Sequence, residues 1–334
     1  RIKQRQDAVE ELFGDFFLRA DLNEQLKSIY DIERLTGKLV CGNANARDLL
    51  AIKTTIMRLP KIKQAISKCN SKLLYHIYEQ IDTLEDIYML LDKSISEDPP
   101  LTIKEGNIIK DGYNSEIDLL RKASREGKAW IADLELKERE KTGIKSLKVG
   151  FNKVFGYYIE VTKSNLAMVP ENYIRKQTLV NSERYITDQL KEYEELILNA
   201  KEKLQELEYS VFCKIRNQII YEIPRLKHSA YYLALLDVLL SFAEVSYNNK
   251  YVKPEITLSD EIKITDGRHP VVELTQKGEL FIPNDTYINC SDNMISIITG
   301  PNMAGKSTYM RQVALIVIMA QIGCFIPAKK AQLG

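Results

Sequence analysis

Apolar residues recur every three or four positions through most of the first 97 residues. Val9, Leu12, Phe13, Phe16 and Phe17 form one stripe, and Leu22, Leu26, Ile29, Ile32 and Leu35 form a second, with Asp21 as a candidate cap. The pattern continues over 47–59 and 71–91 with few Gly or Pro, and predicts a helical domain. Asp98-Pro99-Pro100 ends it, because proline brings no N–H donor to a helix. Residues 101–113, with Gly106 and Gly112, read as a short hairpin or loop. The spacing then predicts a long charged helix over 115–141, with Ile117, Leu120, Ile131 and Leu134 on a narrow apolar side. A partner helix over 188–221 carries Leu190, Tyr193, Leu196, Ile197, Ala200, Leu204, Leu207, Val211, Ile215 and Ile219. Two such stripes predict two helices packed along one seam, each tens of ångströms long at ~1.5 Å per residue.

Between these helices the period changes to two. Leu147, Val149 and Phe151, then Tyr157, Ile159 and Val161, flank Asn152 to Gly156 and signal a β-hairpin. Residues 222–248 return to helix, and 231–247 is apolar on most sides, which marks a buried helix. From Lys253 short β-branched runs predict strands at 256–258, 262–264, 271–274, 287–288 and 294–298, the last of them buried.

The last run leads into the chain's clearest chemistry. Gly300 to Ser307 fits Gly-x4-Gly-Lys-Ser/Thr, and from Thr308 the apolar residues fall at helical spacing. Strand, glycine loop and helix in that order suit a phosphate-binding loop. Gly300 and Gly305 let the backbone turn tightly, so that consecutive N–H groups and the positive end of the helix make an anion site. Lys306 supplies a cation for β- and γ-phosphates, and the Ser307 hydroxyl a ligand for magnesium. The competing reading is a chance match with nothing bound. His269 has no Ser or Asp nearby with which to form a catalytic triad, and reads as structural.

Composition narrows the class. With 334 residues, 45% hydrophobic and 28% charged, the chain is long enough for two or more domains and reads as globular. The net charge of +1 names no partner, so any nucleic-acid surface is a local patch. Residues 141–191 supply one: Lys141, Lys145, Lys148, Lys153, Lys163, Arg175, Lys176, Arg184 and Lys191, against Glu160, Glu171, Glu183 and Asp188. A basic β-rich insert on a helical arm suits nucleic-acid phosphates; the alternative is an ordinary solvated face. Five widely spaced cysteines without Cys-x-x-Cys suggest reduced thiols and a cytoplasmic protein. The apolar run at 313–320 is too short to span a bilayer, and no membrane partner is expected. The opening Arg-Ile-Lys-Gln-Arg has no signal-peptide character, and the pattern shows one helix after the phosphate loop and no further strand. The expectation is a piece of a larger protein.

Several stretches carry a resemblance. Thr299-Gly-Pro-Asn-Met-Ala-Gly-Lys-Ser-Thr-Tyr-Met-Arg-Gln-Val-Ala314 resembles the nucleotide-binding loop of the MutS family of DNA mismatch repair ATPases, with Ala304 where members often have Gly. Leu147-Lys-Val-Gly-Phe-Asn-Lys-Val-Phe-Gly-Tyr-Tyr-Ile-Glu160 and Tyr173-Ile-Arg-Lys-Gln-Thr-Leu-Val-Asn-Ser-Glu-Arg-Tyr185 are similar to the family's DNA clamp. Gly267-Arg-His-Pro-Val-Val-Glu273 resembles the opening of its ATPase domain, and Arg5 to Val9 and Asp31 to Leu35 its helical core.

The resemblance covers nearly the whole chain and implies a multidomain, mainly α protein. Its parts are a helical core (1–114), a lever helix (115–142), a β-rich clamp (143–187), a second lever helix returning to the core (188–250) and the start of an α/β P-loop ATPase domain (251–334). The implied cofactors are ATP or ADP with Mg2+, bound through Phe281, Ile282, Gly300, Pro301, Asn302, Met303, Ala304, Gly305, Lys306, Ser307 and Thr308. Phe281 would stack on the base, or else be an ordinary core phenylalanine; Ser307 would hold the metal. Asn152, Lys153, Val180 and Asn181 match clamp-tip positions, and Arg175, Lys176 and Arg184 are nearby candidates for the DNA backbone. The implied partners are mismatched or looped double-stranded DNA, a second copy joined through the complete ATPase domain, and a MutL-type repair protein, in a nucleoid-associated setting. The hydrolytic residues and the mismatch reader are expected outside this chain. Phe242-Ala243-Glu244 matches the reader's Phe-x-Glu but sits in a helix that needs its Phe for the core. Two other readings are a relative that clamps branched recombination DNA and a structural SMC-type coiled-coil ATPase.

Overall fold

Side-chain caps decide where the early helices begin and end. The structure, a computed structural model, describes residues 1–152, 156–275, 281–301 and 304–334, with the backbone alone at 104, 123, 125–129 and 196–198. The first helices are α1 (Ile2–Gly14), α2 (Phe16–Leu26), α3 (Ile32–Val40), α4 (Ala46–Ile56), α5 (Leu59–Ile66), α6 (Lys72–Gln80) and α7 (Glu85–Ser94). Asp15, not Asp21, accepts the Leu18 N–H and starts α2, so the first apolar stripe stops at Phe13 and leaves Phe16 and Phe17 exposed. Asp31 likewise caps α3 through Arg34 N–H. The apolar runs over 47–59 and 71–91 each break into two helices. In the second, Asp82 accepts from Leu84 N–H while Leu84 takes a left-handed φ of 53°.

The rest of the chain comprises α8 (Ser115–Thr142), β1 (Lys148–Asn152), β2 (Gly156–Thr162), β3 (Ile174–Thr178), β4 (Ser182–Ile186), α9 (Asp188–Tyr221), α10 (Ile223–Asn248), β5 (Glu255–Ile256), β6 (Ile262–Gly267), α11 (Val272–Thr275), β7 (Asn284–Ile288), α12 (Lys306–Ile322) and β8 (Lys330–Leu333). Two compact units result. One holds Arg1–Gly42, Ala51–Tyr88 and Ile220–Gly334, the other Asn43–Leu50 and Met89–Ile219.

In the first unit α1 lies on α10, with Phe13 against Tyr247 and Phe325 at ring distances of 5.7 and 5.5 Å. By length and composition α10 is apolar enough to cross a membrane, yet Leu226, Leu233, Leu236 and Leu240 are buried in this helical core. A mixed sheet ordered β5-β8-β6-β7 packs its Ile264, Ala331 and Leu333 against Ile316 and Ala320 of α12.

Three strand expectations change here. Residues 271–274 form a helix instead, because buried His269 accepts the Val271 and Val272 N–H groups through Nδ1 and so caps α11. A strand does follow the phosphate-loop helix: β8 pairs with β6 and β5. The run 294–298 is not a buried strand. It is coil, with Ile295 82% and Ile297 87% exposed. β-Branched residues favour extended backbone, but a strand also needs a neighbour, and the described sheet closes its order without this run.

In the second unit α8 and α9 lie side by side. Leu190, Val211, Ile215 and Ile219 are buried, and Leu204 and Leu207 half-buried; Leu196 and Ile197 lie outside the described side chains. Trp130 meets Tyr193 at 5.7 Å toward one end. Toward the other, Arg121 ion-pairs with Glu208 in the interior and also with Asp111, and it donates to the Ile109 carbonyl at 2.6 Å. Glu208 also accepts from Ile108 N–H. The 101–113 stretch is therefore sewn to the arm, with a bridge from Ile95 to Ile109, and is not a free-standing hairpin.

An interior charge is tolerable only while its partner stays in place. Glu208→Ala should therefore lower the stability of the arm by about 3 kcal/mol or more in denaturant unfolding followed by helical circular dichroism. A loss under about 0.5 kcal/mol, the size seen for surface pairs, would contradict this account.

Candidate nucleotide cleft and nucleic-acid interface

The glycine loop before α12 turns at Gly305. It caps α12 with φ +83°, a left-handed value that disfavours a side chain. Lys306 opens the helix and folds its Nζ back onto the Gly300 carbonyl at 2.6 Å. No acidic residue occupies the first turn, so the positive helix end is not neutralised locally. The loop borders an open cleft of about 890 Å³, and Phe281, Ile282 and Asn284 form another part of its wall. The cleft therefore brings Phe281 and Ile282 together with Ala304, Gly305, Lys306 and Thr308, residues separated by some twenty positions in sequence. Gly300, Pro301 and exposed Ser307 stand beside it and do not line it, and Asn302 and Met303 lie outside the described residues.

Sequence reasoning missed Tyr309 and Gln312, which complete this wall. The Tyr309 hydroxyl lies 2.9 Å from the Thr286 hydroxyl and donates to the Asp285 carbonyl at 3.2 Å, tying α12 to β7. Their i, i+3 spacing just beyond Thr308 puts both on one face of the helix, and that is the signal in the sequence that points to them. The cleft volume and the cation beside a free helix start fit a nucleotide. Among the described residues no three His, Cys, Asp or Glu side chains gather as a metal cluster.

The second candidate site is the sheet ordered β1-β2-β4-β3. The hairpin predicted around Asn152 to Gly156 forms, with Asn152 paired to Gly156. The other hairpin turns at 179–181, between β3 and β4. Because β4 runs antiparallel to β2 with Thr162 opposite Ser182, this second turn lies at the far end of β2 from the first. Contacts confirm the direction. Asn181 accepts from Lys163 N–H at 3.1 Å, and Ser146, just past the end of α8, meets Thr162 at 3.2 Å. The strands that the first turn joins instead lie back along the arm at Asn152 and Gly156, where Tyr157 N–H donates to Glu194 of α9 and Val149 N–H to Glu135 of α8.

The structure thus does not unite the expected tip residues. Val180, 84% exposed, and Asn181 stand at the end of the arm beside Lys163, with exposed Arg175 and Lys176 on the adjoining edge strand. Asn152 lies half-buried at the other end of β2, and Lys153 is outside the described residues. Arg184 is committed internally: it ion-pairs with Glu160 at 3.1 Å, bonds Gln177, and stacks on Tyr158 at 4.1 Å. Gly150 permits this stack, since a Cβ there would stand 2.7 Å from the Tyr158 ring. Arg175 keeps an ion pair with Glu183 at 3.6 Å.

Antiparallel and held on two helices, this sheet belongs to a helix-dominated multidomain polypeptide that carries a separate glycine-loop segment. Residues 112–203 match MutS family domain IV, and residues 296–334 match MutS domain V. Over its whole length the chain is 59% identical to a DNA mismatch repair protein MutS of Caldanaerobacter subterraneus subsp. tengcongensis. It is 57% identical to that of Acetivibrio thermocellus. The chain belongs to the MutS family. It spans about 38% of the length of these relatives.

Two tyrosine–carboxylate pairs anchor the small sheet. The buried Tyr173 hydroxyl donates to Glu138 at 2.6 Å and the Tyr185 hydroxyl to Glu183 at 2.6 Å. Burial and then the adjacent carboxylate push both hydroxyls above the ordinary tyrosine range, Tyr185 up to about 12. The folded sheet holds these protons, whereas the unfolded chain releases them near pH ~10. Their stabilisation is complete below that pH and is lost as pH rises through the folded-state values. Alkaline titration should therefore show Tyr173 and Tyr185 ionising only with loss of near-ultraviolet circular dichroism. Ionisation of all 18 tyrosines near pH ~10 with the fold intact would contradict the two pairs.

Proposed function

We infer that this chain carries the nucleotide-binding loop and the DNA-backbone clamp of an ATP-dependent mismatch repair ATPase. The cleft that gathers Phe281 and Ile282 with the Gly305–Thr308 turn supports the reading most directly. Lys306 and the N–H groups of the first turn of α12 hold the phosphates, Gly305 lets the backbone approach them, and Phe281 offers a face to the base. Ser307 is the hydroxyl available to a magnesium ion, which takes its remaining ligands from phosphate and water. A bound magnesium nucleotide supplies the cleavable phosphoanhydride, and the residues of this chain bind and orient it. The relatives are named as DNA mismatch repair proteins, and the clamp grips the duplex through phosphates, without reading bases.

Lys306→Ala in the full-length protein should abolish nucleotide binding in calorimetry; retained affinity would remove Lys306 from the phosphate site. The DNA contact lies at the 179–181 turn and along the adjoining β3 edge, and the test compares that surface with the Asn152 end of the sheet. Reversing charge at Lys163, Arg175 and Lys176 should weaken binding to matched and mismatched duplexes alike and flatten log K against log salt by about 2 to 3 units. Asn152→Asp should leave the slope unchanged. An unchanged slope in the triple variant would free this end of DNA, and a loss confined to the mismatched duplex would assign it to lesion reading.

A further inference from the structure

Gln312 stands out on the wall of the phosphate-loop cleft. No part of the residue is open to solvent, and both its amide nitrogen and its amide oxygen lack a hydrogen-bond partner. Proteins seldom leave a buried donor and acceptor unmet, and a leucine would fill the same place without the loss. Space is nonetheless kept for the amide. A Cβ on Gly267 would stand 2.9 Å from Gln312 Nε2 and 3.2 Å from the Asn284 carbonyl oxygen. Gln312 follows Tyr309 by one turn on the same face of α12, and Tyr309 is already satisfied by Thr286 and Asp285. From Lys306 to Gln312 the helix rises about 9 Å, comparable to the reach of a nucleotide from its phosphates to its base. Phe281 and Ile282 line the same cleft.

We propose that the Gln312 carboxamide hydrogen-bonds the edge of the purine base of a nucleotide whose phosphates rest on the Gly305–Thr308 turn. The proposal deepens the nucleotide reading above and rests on it. A carboxamide presents a donor and an acceptor side by side, the complement of the amino group and ring nitrogen along an adenine edge. Rotation of the long, unbranched side chain brings the amide from its buried position to the face of the cleft. The base then supplies the partners that the protein alone withholds.

The test uses the full-length protein and the variants Gln312→Leu and Gln312→Met, measuring ATP and inorganic tripolyphosphate binding by calorimetry and melting without ligand. Both variants should melt at or above the parent temperature, because an unmet polar group is gone. ATP should bind about tenfold more weakly to each, and tripolyphosphate as before. ATP affinity within twofold of the parent in either folded variant would overturn the assignment. So would equal losses for ATP and tripolyphosphate, which would make Gln312 a support of the loop. If the unaltered protein bound neither compound, the nucleotide reading itself would fall, and this assignment with it.

Discussion

The register of β2 against β4 governs the geometry of the whole second unit. Ile159 faces Tyr185 and Thr162 faces Ser182, so alternate residues of both strands, Ile159, Val161, Glu183 and Tyr185, turn toward the core that Leu134 and Leu190 close from the arm. A slip by one residue would turn Arg184 toward the core and Tyr185 out of it, breaking the ion pair of Arg184 with Glu160 and its stack on Tyr158 together. The same register sends the 179–181 turn beyond the end of α8 and the paired ends Asn152 and Gly156 back along it. Which surface the arm presents at its end thus follows from strand pairing, before any single lysine is considered.

In the first unit α12 plays the comparable part. Its start is set by the left-handed Gly305 and its end by Gly323, whose φ is +92°. The far end is fastened to α1: Arg5 donates to the Ile322 carbonyl at 3.0 Å, and a Cβ on Gly323 would stand 2.5 Å from that of Arg5. Lys253 reinforces the joint through Asp7 and Glu10 of α1. One helix therefore joins the glycine loop to the helical core. Tyr309 ties its first half to β7, and Ile316 and Ala320 bury its second half against the sheet.

Long helices were legible because their stripes persist for many turns, as over 115–142 and 188–221. Their interruptions were not. Asp15 and Asp82 stop or start helices through single hydrogen bonds that leave the apolar period intact. The 294–298 run shows the complementary limit: β-branched composition reports a liking for extended backbone, whereas a strand also depends on what lies beside it. At the cleft the glycine spacing pointed to the loop, and Phe281 came through resemblance. The unmet amide of Gln312 needed coordinates, since a glutamine on a helix looks like any solvated residue in sequence. Arg184 likewise counted among the basic candidates until Glu160 and Tyr158 were seen to hold it.

The central claim is that the arm meets DNA with the turn beyond its end and not with the turn along its side. Site-specific photo-crosslinking tests it directly, with a photoreactive residue placed at Asn181 or at Asn152 of the full-length protein and a labelled duplex as target. The account predicts adducts from position 181, on matched and mismatched duplexes alike, and none above background from position 152. Adducts from 152 with none from 181 would reverse the orientation of the clamp and contradict it.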